Sequence, residues 1–552
     1  MPYWWKKQRN AAKTDNKNEK KSGGVQKTPV RGDDTSGTVT DIPFLTMGTD
    51  LKTRLGQLKK TTGNSSDIVI HQIMLGSGND LPAAVISVDG LDDPKMINEN
   101  LLEVLMGNPE IDGYLGSENI LDSIMKHVIK IDGVKKVMNW NDLFSELLSG
   151  QSILLIDGVY GGLSISTRGG QQRAIEEPAT EVTIRGPRDG FTESLRVNTS
   201  LIRKRIKDPN LWMENFKIGE VTRTDVALMY IKGIANDKVL EEARKRLNTI
   251  KIDAILDSSY IEQLIEDKTY TIFPTMHHSE RPDVVAANLL EGRFAIVVEG
   301  SPFVLLAPAV FIQFFQSADD YYIRFDIATA LRLLRVLSYL ISLVGPAVYV
   351  AITTFHQELI PTQLVFTLAA QRETIPFPAV VEAMGMEVVF EILREAGLRL
   401  PRPIGQTVSI VGALVIGQAA VQAGIISPAM VIVVSITAIA SFATPSFFIA
   451  ISARIYRFVF MFLAATFGFY GIIIGMIALA VHLTSLRSFG VPYTAPIAPF
   501  IRSNFGDTVI RVPIWSMSAR PRLFSQKNII RQAENQKPMP PKQKSVKNGE
   551  QP

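Results

Sequence analysis

Residues 403–453 read PIGQTVSIVGALVIGQAAVQAGIISPAMVIVVSITAIASFATPSFFIAISA and decide the fold class of this chain. The stretch runs for 51 residues without one Asp, Glu, Lys, Arg or His. One helix of that length would measure about 76 Å at about 1.5 Å per residue, whereas the hydrocarbon core of a bilayer is about 30 Å thick. We therefore predict two membrane crossings folded back on each other. They divide near residues 424–428, because proline cannot continue a helix.

Basic residues are concentrated at the two ends of the chain. The 552 residues carry a net charge of +4, but residues 1–31 contribute +7 and residues 515–552 contribute +6. Such tails beside apolar segments fit the cytoplasmic leaflet of a membrane, whose anionic lipids attract Lys and Arg. The N-terminus lacks the apolar core of a signal peptide, so we expect the first half of the chain to be cytoplasmic. No nucleic-acid-binding motif accompanies either tail, and no nucleic-acid partner is predicted.

The sequence carries little that would support catalysis. It contains no cysteine, which excludes disulfides, thiol catalysis and cysteine-based metal sites. It also lacks the Walker A, GxGxxG and GxSxG motifs. His277 and His278 are adjacent, and because neighbouring side chains point to different sides we favour a surface or interface role over metal binding. We predict no enzyme activity, no cofactor and no metal.

The predicted fold class is an α/β cytoplasmic N-terminal region of two small subdomains, followed by an all-α multipass transmembrane domain. Short apolar runs predict strands at 67–74, 83–89, 152–156, 162–166 and 224–231. Helical patterns cover 95–106, 120–129, 140–148, 191–206 and 236–250. The predicted divisions are a disordered basic tail (1–60), subdomain 1 (61–175), subdomain 2 (176–290), the transmembrane domain (291–485) and a Pro-rich, basic cytoplasmic tail (486–552).

The number of membrane crossings stays open at this point. Apolar segments at 294–315, 336–357, 407–425, 428–447 and 458–481 make five, but two cytoplasmic tails require an even number. Either an acidic helix at 378–397 is a sixth crossing, or the proline-broken segment 294–315 does not cross. Each choice leaves arginines on the side that the positive-inside rule disfavours.

The acidic helix at 378–397 is the main candidate functional element. Its glutamates at i, i+4 and i+8 share one face. The helix is interpreted either as amphipathic, lying at the membrane surface, or as lining a cation-favouring path formed by several subunits. The candidate path-lining residues are Glu387, Glu391, Glu395, Met384 and Val380. Glu299 is a candidate for the mouth of the segment 294–315, or marks the membrane boundary.

A charged block precedes and includes the helix at 191–206. Its candidate residues are Arg185, Gly186, Pro187, Arg188, Glu193, Arg203 and Arg205. Gly-Pro at 186–187 favours a tight turn between charged flanks. We interpret the block either as an ion-pair network that shapes the turn and helix, or as a docking surface for a partner subunit or for the membrane half.

Five segments together resemble the A subunits of bacterial spore germinant receptors, the GerA family. They are EPATEVTIRGPRDGFTESLRVNTSLIRKRI, RPDVVAANLLEGRFAIVVEGSPF, MEVVFEILREAGLRLP, TVSIVGALVIGQAAVQAGIISP and SLRSFGVPYTAPIAP. They lie in the family's order between about residues 60 and 515, which leaves the two tails outside. One departure is the His pair at 277–278, where a Gln-containing sequence is expected.

This resemblance implies a subunit of a receptor in the inner membrane of an endospore. Its partners would be a transporter-like B subunit, thought to bind the germinant, and a lipoprotein C subunit. The chain is expected to form homo-oligomers in the bilayer and, as proposed for the family, an ion-conducting channel. Alternatives are a non-conducting scaffold of the receptor, an accessory protein of the dipicolinate release channel, and a secondary transporter, which is disfavoured because no inverted repeat of hydropathy is visible.

Overall fold

The computed structural model describes residues 47–76, 81–106, 111, 113, 120–129, 131, 133–169, 177–400, 415–525, 527–533 and 536–539. The predicted tail up to residue 46 and the chain end from residue 540 lie outside these ranges. Residues 401–414, the first part of the uncharged stretch, also lie outside them.

The first subdomain is a five-stranded sheet with helices on both faces. Its strands lie in the order β1-β2-β4-β5-β3, and all neighbours are antiparallel. Side chains of β4 alternate between two apolar cores, as the two-residue period of a strand requires. The elements are α1 (Leu51–Thr61), β1 (Ile68–Leu75), β2 (Leu81–Val88), α2 (Pro94–Ile97), α3 (Glu103–Met106), α4 (Ile120–Ser123), β3 (Lys135–Val137), α5 (Trp140–Leu147), β4 (Ser152–Ile156) and β5 (Gly162–Ile165).

The second subdomain repeats this arrangement. Its strands lie in the order β6-β7-β9-β10-β8, again with every neighbouring pair antiparallel, so the two sheets share one topology. The elements are α6 (Leu195–Arg205), β6 (Leu211–Ile218), β7 (Thr224–Ile231), α7 (Asp237–Thr249), α8 (Ser258–Ile265), β8 (His277–Ser279), α9 (Pro282–Leu290), β9 (Phe294–Val298) and β10 (Val304–Ala307).

The segment 294–315 belongs to this sheet and does not cross a membrane. This corrects the topology in which 294–315 was the first crossing. It forms β9, β10 and a 3-10 turn, and β9 pairs with the central strand β7. Pro302 and Pro308 lie just outside the two ends of β10, where no sheet hydrogen bond is lost. The second subdomain therefore extends beyond the expected limit at residue 290. The expected disordered tail is also too long, because its last ten residues belong to α1.

A layer of helices follows the second sheet. It contains α10 (Asp319–Tyr322), α11 (Phe325–Thr354), α12 (Thr362–Arg372), α13 (Ala379–Arg399), α14 (Pro428–Phe442) and α15 (Phe447–Ser485), with one more helix at residues 415–422. Among the described helices, α11 and α15 are long and apolar enough to cross a bilayer. The predicted division of the uncharged stretch is confirmed. Gly424 has a positive φ of 66°, and the Ser427 side chain caps the start of α14.

Helix α15 is two antiparallel arms and not one rod, which corrects the predicted single span at 458–481. Gly468 has φ 59° and ψ −138°. These values lie outside the helical range, in a region that glycine adopts more readily than other residues. A Cβ at Gly475 would lie 2.8 Å from the ring of Phe460. In a straight helix about 22 Å would separate these two residues, so the helix must fold back between them. Gly471 lies equally close to Leu463. The first arm covers residues 447–467 and the second covers residues 469–485.

The helices alternate in direction relative to the two α/β subdomains, from α1 to β10, which are called the soluble region below. α11 leads away from it and ends with His356 against the turn at Gly468. α13 runs back, from Glu382 beside the start of α14 to Arg394, whose guanidinium lies 5.7 Å from the ring of Phe447. α14 and the second arm of α15 also run towards the soluble region, whereas the first arm runs away from it.

The expected cytoplasmic tail after α15 is an ordered part of the fold as far as it is described. Arg520 donates from Nε to the carbonyl of Leu290 at 2.9 Å, and Phe524 is buried in the core that joins sheet and helices. Lys527 pairs with Asp237 of α7 at 2.5 Å. These contacts fasten the segment 511–533 across the second subdomain.

Candidate functional site

The acidic stripe of α13 faces into the helical layer, where arginines of α15 neutralise it. Glu387 and Arg457 are each 1% exposed and form a hydrogen-bonded ion pair. Arg457 also donates to the carbonyl of Ser342 at 2.6 Å and to its hydroxyl at 2.9 Å. One buried charge pair thus connects α13, α15 and α11. A buried charge needs such partners, because removing it from water costs several kcal/mol.

The other glutamates of α13 have partners of different kinds. Glu391 is 31% exposed and pairs with Arg454 at 2.7 Å. Glu395 is exposed, and its partner among the described residues is Arg399, one turn along the same helix. Glu382, which the periodicity excluded from the stripe, is buried and accepts from the backbone N–H of Ser427 at 2.9 Å.

The path-lining prediction assumed that the acidic face of α13 lines an open path, whereas this face is turned into the helical layer. Val380 and Met384 pack against the apolar core of the layer, and Glu387 is enclosed with its arginine. Among the predicted residues, only Glu395 lies on the exposed surface and Glu391 at its margin. Whether these residues line an ion path stays a prediction, since it depends on an assembly of several chains.

The residues that sequence reasoning missed are Arg454 and Arg457. They stand three positions apart directly after the uncharged stretch, so they share a helix face. Two arginines at that spacing inside an apolar helix are a signal for buried acidic partners. The three-residue spacing matches the one-turn separation of Glu391 and Glu387 on the antiparallel neighbour.

Glu299 lies at the end of β9 in the soluble region. Its carboxylate accepts from the backbone N–H of Leu195 at 2.7 Å, at the first turn of α6, where a negative charge complements the helix dipole. The expectation that Glu299 marks the mouth of a membrane segment is therefore corrected. Glu193, from the charged block, accepts through its carbonyl from the N–H of Gly300 at 2.7 Å.

The charged block is largely an internal network. Arg203 is 1% exposed and holds Asp67 of the first subdomain through two hydrogen bonds of 2.6 and 3.0 Å. Arg205 holds Asp189 at 2.5 Å. These contacts support the interpretation of the block as a shaping network. In contrast, Arg188 makes an exposed pair with Glu177 at 3.0 Å.

The turn at Gly186 docks against the start of the helical layer. Its φ is 135°, and a Cβ there would lie 2.6 Å from the ring of Tyr322 in α10. The carbonyl of Pro187 accepts from Arg281 at 2.8 Å, and Arg281 in turn pairs with Asp283, which accepts from the Tyr322 hydroxyl. Arg185, between these contacts, is exposed. The block therefore joins the second subdomain to the helices within one chain.

A second buried cluster lies on the same junction. Arg332 of α11 pairs with Asp320 at 2.9 Å and with Asp507 of the C-terminal segment at 2.9 Å, and it is 1% exposed. Arg335 also reaches Asp320, at 2.8 Å. The Tyr321 hydroxyl donates to Asp507 at 2.8 Å. Helices α10 and α11 and the C-terminal segment are thus joined by largely buried charges.

The histidine pair lies on β8, the edge strand of the second sheet. The ring of His278 packs edge-on to Phe448 of α15 at 5.0 Å, and the ring of His277 lies 5.6 Å from Phe314. Burial lowers the pKa of His277 to about 3, so this ring is neutral at physiological pH. The described residues contain no cluster of metal-binding side chains around it. The expected interface position of the pair agrees with these contacts.

Fold and junction together define a class of protein: a duplicated α/β region linked by buried ion pairs to a helical layer, in which two helices can span a bilayer. A sequence model described as Bacillus/Clostridium GerA spore germination protein matches residues 56–523. The chain therefore belongs to the GerA family of spore germination proteins. This membership confirms the resemblance read from the sequence. It also supports the prediction that the chain is not an enzyme.

Relatives cover most of the chain. It is 58% identical over 490 residues to "Spore germination protein KA" of Bacillus subtilis (strain 168), covering 89% of each chain. It is 40% identical to "Spore germination protein GerLA" of Bacillus cereus, covering 86% of this chain and 95% of that one. It is 48% identical to the crystallised N-terminal domain of the A subunit of the Bacillus megaterium spore germinant receptor GerK3. That match has a TM-score of 0.40 and covers 49% of this chain and 99% of that chain.

Proposed function

We propose that this chain is the A subunit of a nutrient germinant receptor in the inner spore membrane. In this proposal it assembles with a transporter-like B subunit and a lipoprotein C subunit, and its copies oligomerise into a cation channel. Binding of germinant to the partner subunit opens the channel. Membership of the GerA family supports the receptor assignment, and the relative crystallised from Bacillus megaterium is an A subunit by name.

The alternating helices support a multipass arrangement with an even number of crossings. α11 and the first arm of α15 lead away from the soluble region, whereas α13, α14 and the second arm return to it. If the chain between α13 and residue 424 completes one more outward pass, six crossings result. Both tails then lie on the cytoplasmic side, as their basic residues require.

The observation that carries the channel proposal is the ion pair of Glu387 with Arg457. In a cation path, carboxylates attract ions only when no arginine neutralises them. We infer that the described arrangement is the closed one, in which α15 holds the acidic face of α13 inward. Opening would separate α13 from α15 and turn Glu387 and Glu391 towards the path, a change between two packed states.

The same observation favours a second candidate, the non-conducting scaffold. A neutralised stripe needs no ion path, and the exposed side of α13 is apolar at Val381, Val388 and Ile392. In that reading the exposed side contacts lipid or another subunit, and the buried pairs only fasten the helices to one another.

Potassium release separates the two candidates. Once release has begun, spores carrying Glu391→Gln should release potassium at least about tenfold more slowly than wild type, because one favourable charge of about 1.4 kcal/mol is lost from the open path. Loss of the pair with Arg454 eases opening and should shorten only the lag before release. Glu373→Gln, at the exposed end of α12, is the matched control and should release potassium normally. Receptor abundance in the membrane is measured for each variant.

Selectivity gives the sharper readout. Purified receptor in liposomes should conduct potassium in preference to chloride, and Glu391→Gln should weaken this preference. Nutrient-dependent germination without any flux through the reconstituted receptor would favour the scaffold. If the variant and wild type, at equal abundance, show equal rates and equal selectivity, α13 does not line the path.

A further inference from the structure

Arginines outnumber carboxylates at the contact between α13 and the first arm of α15. Glu387 pairs with Arg457, and Glu391 pairs with Arg454. Arg394, one turn after Glu391, pairs with no carboxylate in the part of the chain that the structure describes. Its repulsion by Arg454 exceeds its attraction to Glu391. The cluster therefore carries one positive charge that the described residues leave uncompensated.

The same cluster contains buried polar atoms that lack a hydrogen-bond partner among the described residues. Two of them are donors, Nη1 of Arg394 and Nε of Arg454, and the Arg454 side chain is only 12% exposed. An arginine N–H can only donate, so each of these nitrogens requires an acceptor. Oε1 of Glu391 is also unpartnered and requires a donor. Because an unpaired buried polar atom is costly, a ligand that brings an acceptor and a donor together is favoured here.

The cluster lies at the edge of the helical layer that adjoins the soluble region. Ser452 of the first arm donates to the carbonyl of Ile272, in the loop between α8 and β8, at 2.5 Å. The Arg394 guanidinium lies 5.2 Å from the ring of Phe442 and 5.7 Å from the ring of Phe447, where α14 ends and α15 begins. In a bilayer, long arginine side chains at this depth reach the level of the lipid headgroups.

Exposed apolar side chains continue from the cluster towards the middle of the helical layer. They are Val388 and Ile392 on α13 and Ile455 and Val459 on the first arm. A polar cluster flanked by such surface matches the two parts of a phospholipid, a charged headgroup and apolar acyl chains. Basic pockets between membrane helices are known binding sites for anionic headgroups.

We propose that Arg394 and Arg454 bind one anionic phospholipid with a hydroxylated headgroup, such as phosphatidylglycerol. Its phosphate accepts from both guanidinium groups, a headgroup hydroxyl donates to Glu391, and its acyl chains lie along α13 and the first arm. The phosphate balances the charge of the cluster, whereas a zwitterionic headgroup would place a further cation beside the arginines. A soluble phosphate would gain nothing from the apolar flanks. The site does not rest on ion conduction, because a scaffold would use it equally.

The test is binding of radiolabelled phosphatidylglycerol to the full-length protein in micelles of a neutral detergent. Phosphatidylglycerol should bind saturably and at least about tenfold more tightly than phosphatidylcholine, whose headgroup has no net charge. Glycerol phosphate should not displace it, and displacement would assign the arginines to a soluble anion and overturn the lipid assignment. Equal binding of the two lipids, or binding that rises with lipid content without saturation, would also overturn it.

Two substitutions on α13 assign the binding to this cluster. Arg394→Gln removes the uncompensated charge and should weaken phosphatidylglycerol binding at least about tenfold. Arg399→Gln removes the same charge from an exposed arginine that already pairs with Glu395, and should change the affinity less than about twofold. Binding by the basic tails is common to both variants and cancels in the comparison. Equal weakening by both would show a diffuse attraction to the end of the helix and refute the site.

Thermal stability distinguishes lipid binding from a packing role of Arg394. Phosphatidylglycerol should raise the Tm of the wild-type protein, because a ligand of the folded state stabilises it. Arg394→Gln should abolish this rise, and Arg394→Lys, which keeps the charge without the planar fork, should retain part of it. If Arg394→Gln lowers Tm in detergent alone but keeps the full lipid-dependent rise, the arginine only packs against Phe442 and Phe447 and does not bind lipid.

Discussion

The edge strands β3 and β8 occupy the same place in two sheets of identical topology, yet they meet different surroundings. Lys135 and Lys136 of β3 are exposed and pair with Glu146 and Asp122 at 3.2 and 2.6 Å. The corresponding positions of β8 hold the histidine pair, whose rings contact Phe448 of α15 and Phe314. Charged lysines protect a free sheet edge from unwanted pairing. The edge strand β8 is covered by α15, so its side chains need no charge and can pack against the helix.

The same fold therefore makes different contacts in the two subdomains. The first subdomain keeps a solvent-facing edge. Its described contacts with the second subdomain include the pairs of Arg203 with Asp67 and of Arg196 with Asp89, and the start of β6. The second subdomain contributes its edge, its α9 and its 3-10 turn to the junction with the helices. Among the described residues, the second subdomain therefore supplies the hydrogen bonds that join the α/β region to the helices.

The largest expected effect is loss of the contact between the two subdomains. Arg203→Ala leaves Asp67 buried without its partner and should destabilise the soluble region by about 3–5 kcal/mol. Thermal unfolding of the full-length protein, followed by tryptophan fluorescence, should show Tm lower by about 10 °C. Arg188→Ala removes an exposed pair and serves as control, with an expected change below about 1 kcal/mol. Equal effects of both variants would contradict the buried role of Arg203.

Exchanging the edge residues tests the comparison directly. His277→Lys places an ammonium group in the junction and should cost about 2–4 kcal/mol, because the group loses its hydration there and Arg293 repels it. The reciprocal change Lys135→His on the exposed edge should cost less than about 0.5 kcal/mol. The same unfolding assay measures both. If the two exchanges cost the same, the edges do not differ in the way described.

The smallest effect concerns pH. The pKa of His277 is lowered to about 3 from 6.5 in the unfolded chain, so the unfolded state binds a proton first and stability falls as pH decreases below about 6.5. Between pH 7 and pH 5 this contributes at most about 2 kcal/mol. Wild type should therefore lose stability relative to His277→Gln over this range.

Glu181 acts in the opposite direction, because its raised pKa lets the folded state keep a proton that the unfolded state has lost. Its contribution is common to wild type and His277→Gln and cancels in the difference between them. His71→Gln, on the exposed part of β1, should behave as wild type at each pH. A constant difference between wild type and His277→Gln from pH 7 to pH 5 would show that the His277 ring is protonated alike in both states.

The sequence predicted individual elements better than their assembly. β7 and the hairpin from β4 to β5 appear at the expected residues, because β7 and β4 are short apolar runs and Asp157-Gly158 supplies the turn after β4. The duplication of the sheet was not predicted. Strand order depends on contacts between residues far apart in the chain, and the edge strands β3 and β8 have only three residues each.

The candidate site was predicted in part. Periodicity correctly placed Glu387 and Glu391 on one face of α13, but it could not identify what that face contacts. Their partners, Arg454 and Arg457, are 63 and 70 residues later in sequence. The buried cluster around Arg332 escaped prediction for the same reason, because its partner Asp507 lies 175 residues later in sequence.

Composition and periodicity alone predict that apolar helices lie in the second half of this chain, and that a helix with acidic residues precedes the uncharged stretch. These are local properties, set by the cost of placing charge in an apolar environment and by the 3.6-residue period. Tertiary structure alone decides that 294–315 joins a sheet, that α15 turns at Gly468 and that the acidic face meets arginines. Such outcomes depend on which distant segments pack together, and no local pattern encodes that choice.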